Sequence, residues 1–98
     1  MLRITTDENP QVITFRLEGR LDGPWVQVLA ESWRGTMAGS AGRRLRVDLN
    51  GVTFVDGEGK AQLAEMHVYG AEFIAEDLMT KAIVAEIVSQ KYDAGGSR

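Results

Sequence analysis

The chain has 98 residues, of which 44% are apolar and 26% charged, and its net charge is −3; these values are typical of one ordinary globular domain. Because the sequence holds no cysteine and a single histidine, disulfide scaffolds, cysteine-bound zinc, iron–sulfur clusters and thiol catalysis are excluded. The acidic balance argues against a nucleic-acid partner, and no apolar run approaches the roughly 18 residues of a transmembrane helix. The first residues lack the apolar core of a signal peptide. We therefore expect a cytoplasmic protein without membrane insertion.

The start of the chain predicts a β-hairpin. Residues 2–5 alternate between apolar and polar side chains, and residues 12–18 are rich in β-branched and aromatic types, as strands are. Pro10 lies between them and removes a backbone donor. The side chains expected on the core face of the second strand are Ile13, Phe15 and Leu17.

An amphipathic helix is predicted after this hairpin. Asp22 can accept a hydrogen bond from an amide of the first turn, and Pro24 loses no helical bond at that position. Apolar residues then recur at spacings of three and four. The helix should end near Ala38, because several glycines follow it.

The middle of the chain predicts a strand, a turn and a second helix. Residues 44–49 alternate as a strand does, residues 50–51 (Asn-Gly) are typical of a turn, and residues 52–55 form a short extended piece. Asp56 stands where a helix N-cap is expected. The helix itself is predicted over residues 60–69.

The last third predicts a fourth strand over residues 71–75 and a final helix capped by Asp77. The residues expected to face inward on this helix are Leu78, Met79, Ala82, Ile83, Ile87 and Val88. Segment 91–98 is predicted to be a flexible tail. The order ββαβαβα indicates a single α/β domain over residues 1–90, with a mixed sheet and helices packed on one face.

Nothing in the sequence predicts catalysis or a cofactor. His67 is the single candidate base, and no serine stands in the sequence context of a nucleophile. Asp56 and Glu58 could hold a hard cation, but two carboxylates at a helix start more often cap the helix and interact with its dipole. We therefore expect neither an enzyme nor a metal site.

Three segments together resemble a STAS domain, the family of anti-sigma factor antagonists and sulfate-transporter tails. Segment 48–59 reads Asp-Leu-Asn-Gly-Val-Thr-Phe-Val-Asp-Gly-Glu-Gly, and the family has Asp-Leu-Ser/Asn, a short apolar stretch, and Asp-Ser-Ser/Thr-Gly opening a helix. Segment 17–22 (Leu-Glu-Gly-Arg-Leu-Asp) is similar to the strand that precedes the family's first helix, and segment 70–73 (Gly-Ala-Glu-Phe) to its fourth-strand entry. The resemblance implies the same ββαβαβα order.

The resemblance places a switch loop at residues 56–60, which are Asp56, Gly57, Glu58, Gly59 and Lys60. In the family, a hydroxyl residue at the position of Glu58 is reversibly phosphorylated by a partner kinase, and a serine stands at the position of Gly57. The carboxylate of Glu58 cannot form the stable phosphate ester that a serine hydroxyl forms. It supplies a permanent negative charge that imitates the phosphate imperfectly. We therefore expect no phospho-switch.

The resemblance implies a non-enzymatic protein-interaction module, antagonist-like, with an anti-sigma factor or kinase as partner. An adaptor subunit of an ABC-type lipid transporter is the alternative. A third hypothesis is a sensor of small ligands or nucleotides. Glu58 argues against it, because its carboxylate would repel an anion at the helix N-terminus. Two copies could also form a homodimer through an exposed edge strand at residues 12–17.

Overall fold

Seven elements follow one another in the predicted order ββαβαβα in a computed structural model that describes residues 1–40 and 42–96. The elements are β1 (Leu2–Glu8), β2 (Val12–Leu21), α1 (Pro24–Ala38), β3 (Arg44–Val55), α2 (Gly57–Tyr69), β4 (Glu72–Ile74) and α3 (Leu78–Gly96). The α/β class is therefore confirmed. Both β1 and β2 run three residues further than predicted, and α2 begins three residues earlier.

The four strands form one mixed sheet in the order β1-β2-β3-β4. β1 and β2 are antiparallel, whereas β2, β3 and β4 are parallel to one another, as the alternation of strands and helices predicted. Asn9 closes the hairpin, since its side-chain oxygen accepts the backbone N–H groups of Gln11 at 2.8 Å and Val12 at 2.9 Å. Because β2 lies between β1 and β3, the prediction of an exposed edge at residues 12–17 is wrong. The edge is β1.

The core lies on one face of the sheet, under the helices. The predicted inward residues of β2, Ile13, Phe15 and Leu17, are fully buried. They are joined in the core by residues of β3 and the helices, among them Leu45, Val47, Leu49, Leu29, Trp33, Leu63 and Met66. The alternate residues of β2 on the other face, such as Arg16 and Glu18, are exposed. The helices therefore cover one face, as predicted.

β3 passes straight through the dipeptide that was predicted to be a turn. The strand is continuous from Arg44 to Val55, and Gly51 pairs with Glu18 of β2 after a shift in register. A Cβ atom at Gly51 would lie 2.7 Å from Cγ of Glu18, so glycine permits the close approach of the two strands. The irregularity is a bulge in a parallel pair, and the turn prediction is wrong.

The buried stripe of α3 is narrower than predicted. Ile83 and Ile87 are buried, as expected, and Thr80 shares their face. The other predicted inward residues are exposed: Leu78, Met79, Ala82 and Val88. At 100° per residue, Leu78 and Ala82 lie on the opposite side of the helix from Ile87. That part of the prediction is wrong, because over residues 78–89 the buried side chains of α3 lie along one stripe.

The end of the chain overlaps the predicted tail. α3 is helical to Gly96 and so includes part of segment 91–98, whose flexibility stays a prediction; residues 97–98 lie outside the described residues. Over the part of the chain that is described, no helix is both long and apolar enough to cross a membrane.

Candidate functional site

The switch loop begins with a carboxylate that binds the first turns of two helices. Asp56 is the N-cap of α2, as predicted, and its Oδ1 accepts the backbone N–H of Gly59 at 2.7 Å. Its Oδ2 accepts the N–H of Gly23, at the start of α1, at 3.1 Å. These two hydrogen bonds, led by that from Gly59, lower the pKa of the Asp56 carboxyl from its ordinary value.

Gly59, in the first turn of α2, packs tightly against the ends of β2 and β3. It is buried, and a Cβ atom there would lie 2.7 Å from the carbonyl oxygen of Leu21 and 2.8 Å from Cγ1 of Val55. The missing side chain therefore lets the first turn of α2 sit directly on the strand ends. Gly57, two residues earlier, is exposed, and a Cβ atom there would meet nothing within 4 Å.

Glu58 is exposed in the first turn of α2. A carboxylate in this position interacts favourably with the unpaired amides and the dipole of the helix N-terminus. Lys60, the last residue of the loop, points elsewhere, because its Nζ binds Oε1 of Glu86 in α3 at 3.1 Å. The loop thus presents the Glu58 carboxylate to solvent, whereas Lys60 connects α2 to α3 through its ion pair.

Two residues beside the loop were not predicted as part of a site. The guanidinium of Arg20 lies 4.4 Å from the ring centroid of Phe54, and the two residues are direct neighbours across β2 and β3. Phe54 is 40% exposed. Only the parallel register of the two strands brings the pair together, and no local sequence signal indicates that register.

Asp22 is not a helix cap, so that prediction is wrong. The N-cap of α1 is Gly23, and no side chain caps the helix. Gly23 has a φ of 55°, a conformation that favours glycine, and the Asp22 carboxylate instead binds the Arg20 guanidinium at 3.0 Å. Asp22 therefore supports the arginine beside the loop.

Asp77 caps α3, as predicted, and lies outside the loop of residues 56–60. Its Oδ1 accepts the backbone N–H of Thr80 at 2.8 Å, and this hydrogen bond lowers the pKa of the carboxyl. His67, the single histidine, is half-buried in α2 near Phe73, with 6.1 Å between the ring centroids. Within residues 1–40 and 42–96, no three histidine or acidic residues are grouped so that they could hold a metal ion.

No family model matches the chain, and no curated protein is similar to it. Among solved structures, a crystal structure of Mglu is similar with a TM-score of 0.56 over 76% of this chain at 18% identity. The native form of Mglu gives a TM-score of 0.54 over 74% of the chain at 15% identity. The matched region spans only 19% and 23% of the chains in those two structures. Similarity at this level of identity shows the fold alone.

Proposed function

We propose that the protein is a non-enzymatic interaction module of the STAS type, whose partner-binding surface is the switch loop with the adjoining helix α2. One observation carries the proposal: Asp56 binds backbone N–H groups at the starts of both α1 and α2, and Glu58 is exposed in the first turn of α2. The sequence pattern of segment 48–59 supports the same assignment.

The loop suits protein recognition because it is already ordered before a partner arrives. Asp56 holds two backbone amides from different connections, and Gly59 packs against the end of β2. A surface fixed in this way loses little conformational entropy on binding. Phe54 adds an exposed aromatic ring backed by Arg20, and aromatic and arginine side chains are enriched in protein interfaces.

Glu58 gives this module a constant charge. In a phosphorylation-regulated STAS protein, the hydroxyl at this position would alternate between neutral and negative forms. Here the carboxylate stays negative next to amides that favour an anion. The module therefore behaves as an antagonist-like regulator that is held in a phosphorylated-like state. Its location in this proposal is the cytoplasm, and its partner is an anti-sigma factor or kinase.

The proposal is tested by affinity capture from the native cell with three tagged forms: the wild type, Glu58→Ser and Glu31→Ser. Glu31 is an exposed glutamate on α1 whose carboxylate binds Gln27, so Glu31→Ser is a matched control for loss of a surface charge. We expect an anti-sigma factor or kinase, identified by mass spectrometry, to be captured more strongly by Glu58→Ser than by the other two forms. Transporter subunits captured equally by all three would favour the adaptor function.

A kinase assay with the captured partner tests the missing switch. Glu58→Ser should be labelled from ATP at the new serine, whereas the wild type should not be labelled. The hydroxyl residue nearest to Glu58 in the sequence is Thr53, whose hydroxyl donates a hydrogen bond to the Gly19 carbonyl oxygen at 3.2 Å. Labelling of the wild type at Thr53 would contradict a constant state of the loop.

A further inference from the structure

The outer edge of β1 presents unpaired backbone groups in a defined pattern. Two hydrogen bonds fix the pattern: Arg20 N–H donates to the Met1 carbonyl oxygen and Asn9 N–H to that of Val12, both at 3.0 Å. Residues 1 and 9 therefore direct their backbone groups toward β2. Because alternate residues of a strand point their N–H and C=O groups to opposite sides, the even-numbered residues of β1 direct theirs outward. These residues are Leu2, Ile4, Thr6 and Glu8.

The odd-numbered residues carry charges on the face of the sheet that the helices leave open. Asp7 binds Arg16 across the hairpin at 3.2 Å, with both side chains at least half exposed. Arg3 is exposed and lies opposite Glu18 in the register. In the described part of the chain, Arg3 makes no ion pair. Along β1 the order of this face is thus positive at Arg3, neutral at Thr5 and negative at Asp7.

We propose that two copies of the chain pair through β1, antiparallel, about a two-fold axis that passes beside Thr5. Reversal of the strand about Thr5 places Arg3 of each copy opposite Asp7 of the other. Each Asp7 then lies between Arg16 of its own copy and Arg3 of the second. The strand's charge pattern is complementary to its own reverse, and this complementarity identifies the second copy as the occupant of the edge.

The backbone pattern agrees with the same register. With Thr5 at the axis, Leu2 faces Glu8 and Ile4 faces Thr6, and all four direct their backbone groups outward. Each such pair can exchange two hydrogen bonds, and the positions between them bring Cα atoms to about 4.5 Å. Arg3 and Asp7 occupy such a close position. A shift by two residues would place Arg3 opposite Thr5 or Asn9 and would lose both ion pairs.

The edge also lacks two of the features that keep many natural edges unpaired. β1 contains no proline, and its register with β2 runs without a bulge from Leu2 to Glu8. Proline and bulges are common protections of edge strands. The charges of β1, which would repel many strands, instead attract a second β1.

A cysteine scan tests the axis directly, because the chain has no cysteine of its own. Under mild oxidation, Thr5→Cys should form a covalent dimer, since the two Cα atoms would be within the range of a disulfide. Thr6→Cys is the matched control: it is also a threonine of β1, but in this register it faces Ile4 of the second copy. Equal cross-linking at positions 5 and 6, or none at position 5, would overturn the proposal.

Charge reversal tests the ion pairs. In sedimentation velocity over a concentration series, Arg3→Asp should raise the dimer dissociation constant more than about tenfold, because like charges would face each other. The double variant Arg3→Asp/Asp7→Arg should return it toward the wild-type value. Circular dichroism of each variant confirms folding. A wild type that is monomeric at every concentration, or a dimer unaffected by Arg3→Asp, would contradict the proposed pairing.

Discussion

The backbone N–H of Gly23 donates a hydrogen bond of 3.1 Å to the carboxylate of Asp56, 33 residues later in the chain. The same carboxylate caps α2 through Gly59. One side chain therefore connects the two loops that follow β2 and β3. Loss of the Asp56 carboxylate should therefore destabilise the starts of both α1 and α2, whereas loss of the Asp22 carboxylate should affect neither.

We expect Asp56→Ala to lower the urea midpoint of unfolding clearly, because two backbone donors lose their acceptor. Asp22→Ala is the control, since the Asp22 carboxylate forms an exposed ion pair with Arg20 and caps no helix. Such pairs contribute little to stability. If both variants shift the midpoint equally, the bridging role of Asp56 is wrong.

The pH dependence of stability follows from the lowered pKa values of Asp56 and Asp77. A carboxyl whose pKa is lower in the folded state stabilises the fold above its unfolded pKa, and this contribution is lost as the pH falls through the folded pKa. The wild type should therefore lose stability below about pH 4. Asp56→Asn/Asp77→Asn keeps a capping oxygen at both positions but cannot titrate. Its thermal midpoint should fall less steeply from pH 5 to pH 2, and parallel curves would contradict the assignment.

Gly59 and Gly57 form a matched pair for close packing. Gly59→Ala should destabilise the protein by about 1–3 kcal/mol, the usual cost of inserting atoms into a packed site, because its Cβ would lie 2.7 Å from the Leu21 carbonyl oxygen. Gly57→Ala has open space around it and should be neutral or slightly stabilising. Urea unfolding of both variants measures the difference in unfolding free energy. Equal losses would show that the contact of Gly59 with β2 does not restrict the side chain at this position.

Ile87 and Leu78 test which face of α3 is buried. Ile87 is fully buried and Leu78 is 87% exposed. We expect Ile87→Ala to cost about 2–5 kcal/mol of unfolding free energy, and Leu78→Ala to change it by less than about 0.5 kcal/mol. A large loss for Leu78→Ala would mean that this end of the helix is covered in solution.

The order of the elements could be predicted because each has its own periodicity. Alternation identifies β2 and β3, and the spacing of three and four identifies α1. The caps at Asp56 and Asp77 were also predictable, since a short acidic side chain stands directly before a helical pattern. These signals are local, and in these cases the local preference and the tertiary structure agree.

The predictions that are wrong concern residues whose conformation depends on a contact with a distant part of the chain. Asp22 precedes a glycine just as Asp56 does, yet the Gly23 amide is taken by Asp56 from another loop. The Asn50-Gly51 dipeptide has the composition of a turn, but β3 continues through it and Gly51 pairs with Glu18 of β2. The contact of Arg20 with Phe54 likewise depends on the register of two strands. None of these outcomes is encoded in the immediate neighbours of the residue.

The positions of the two tryptophans give the protein two separate optical reporters. Trp33 is buried and its indole N–H donates to Oε1 of Gln62 at 2.7 Å, so its emission should change when the core unfolds. Trp25 is half-buried in the first turn of α1, two residues after the amide that Asp56 binds. In a Trp33→Phe variant, fluorescence would follow the start of α1 alone, and events at the switch loop could be observed without an added label.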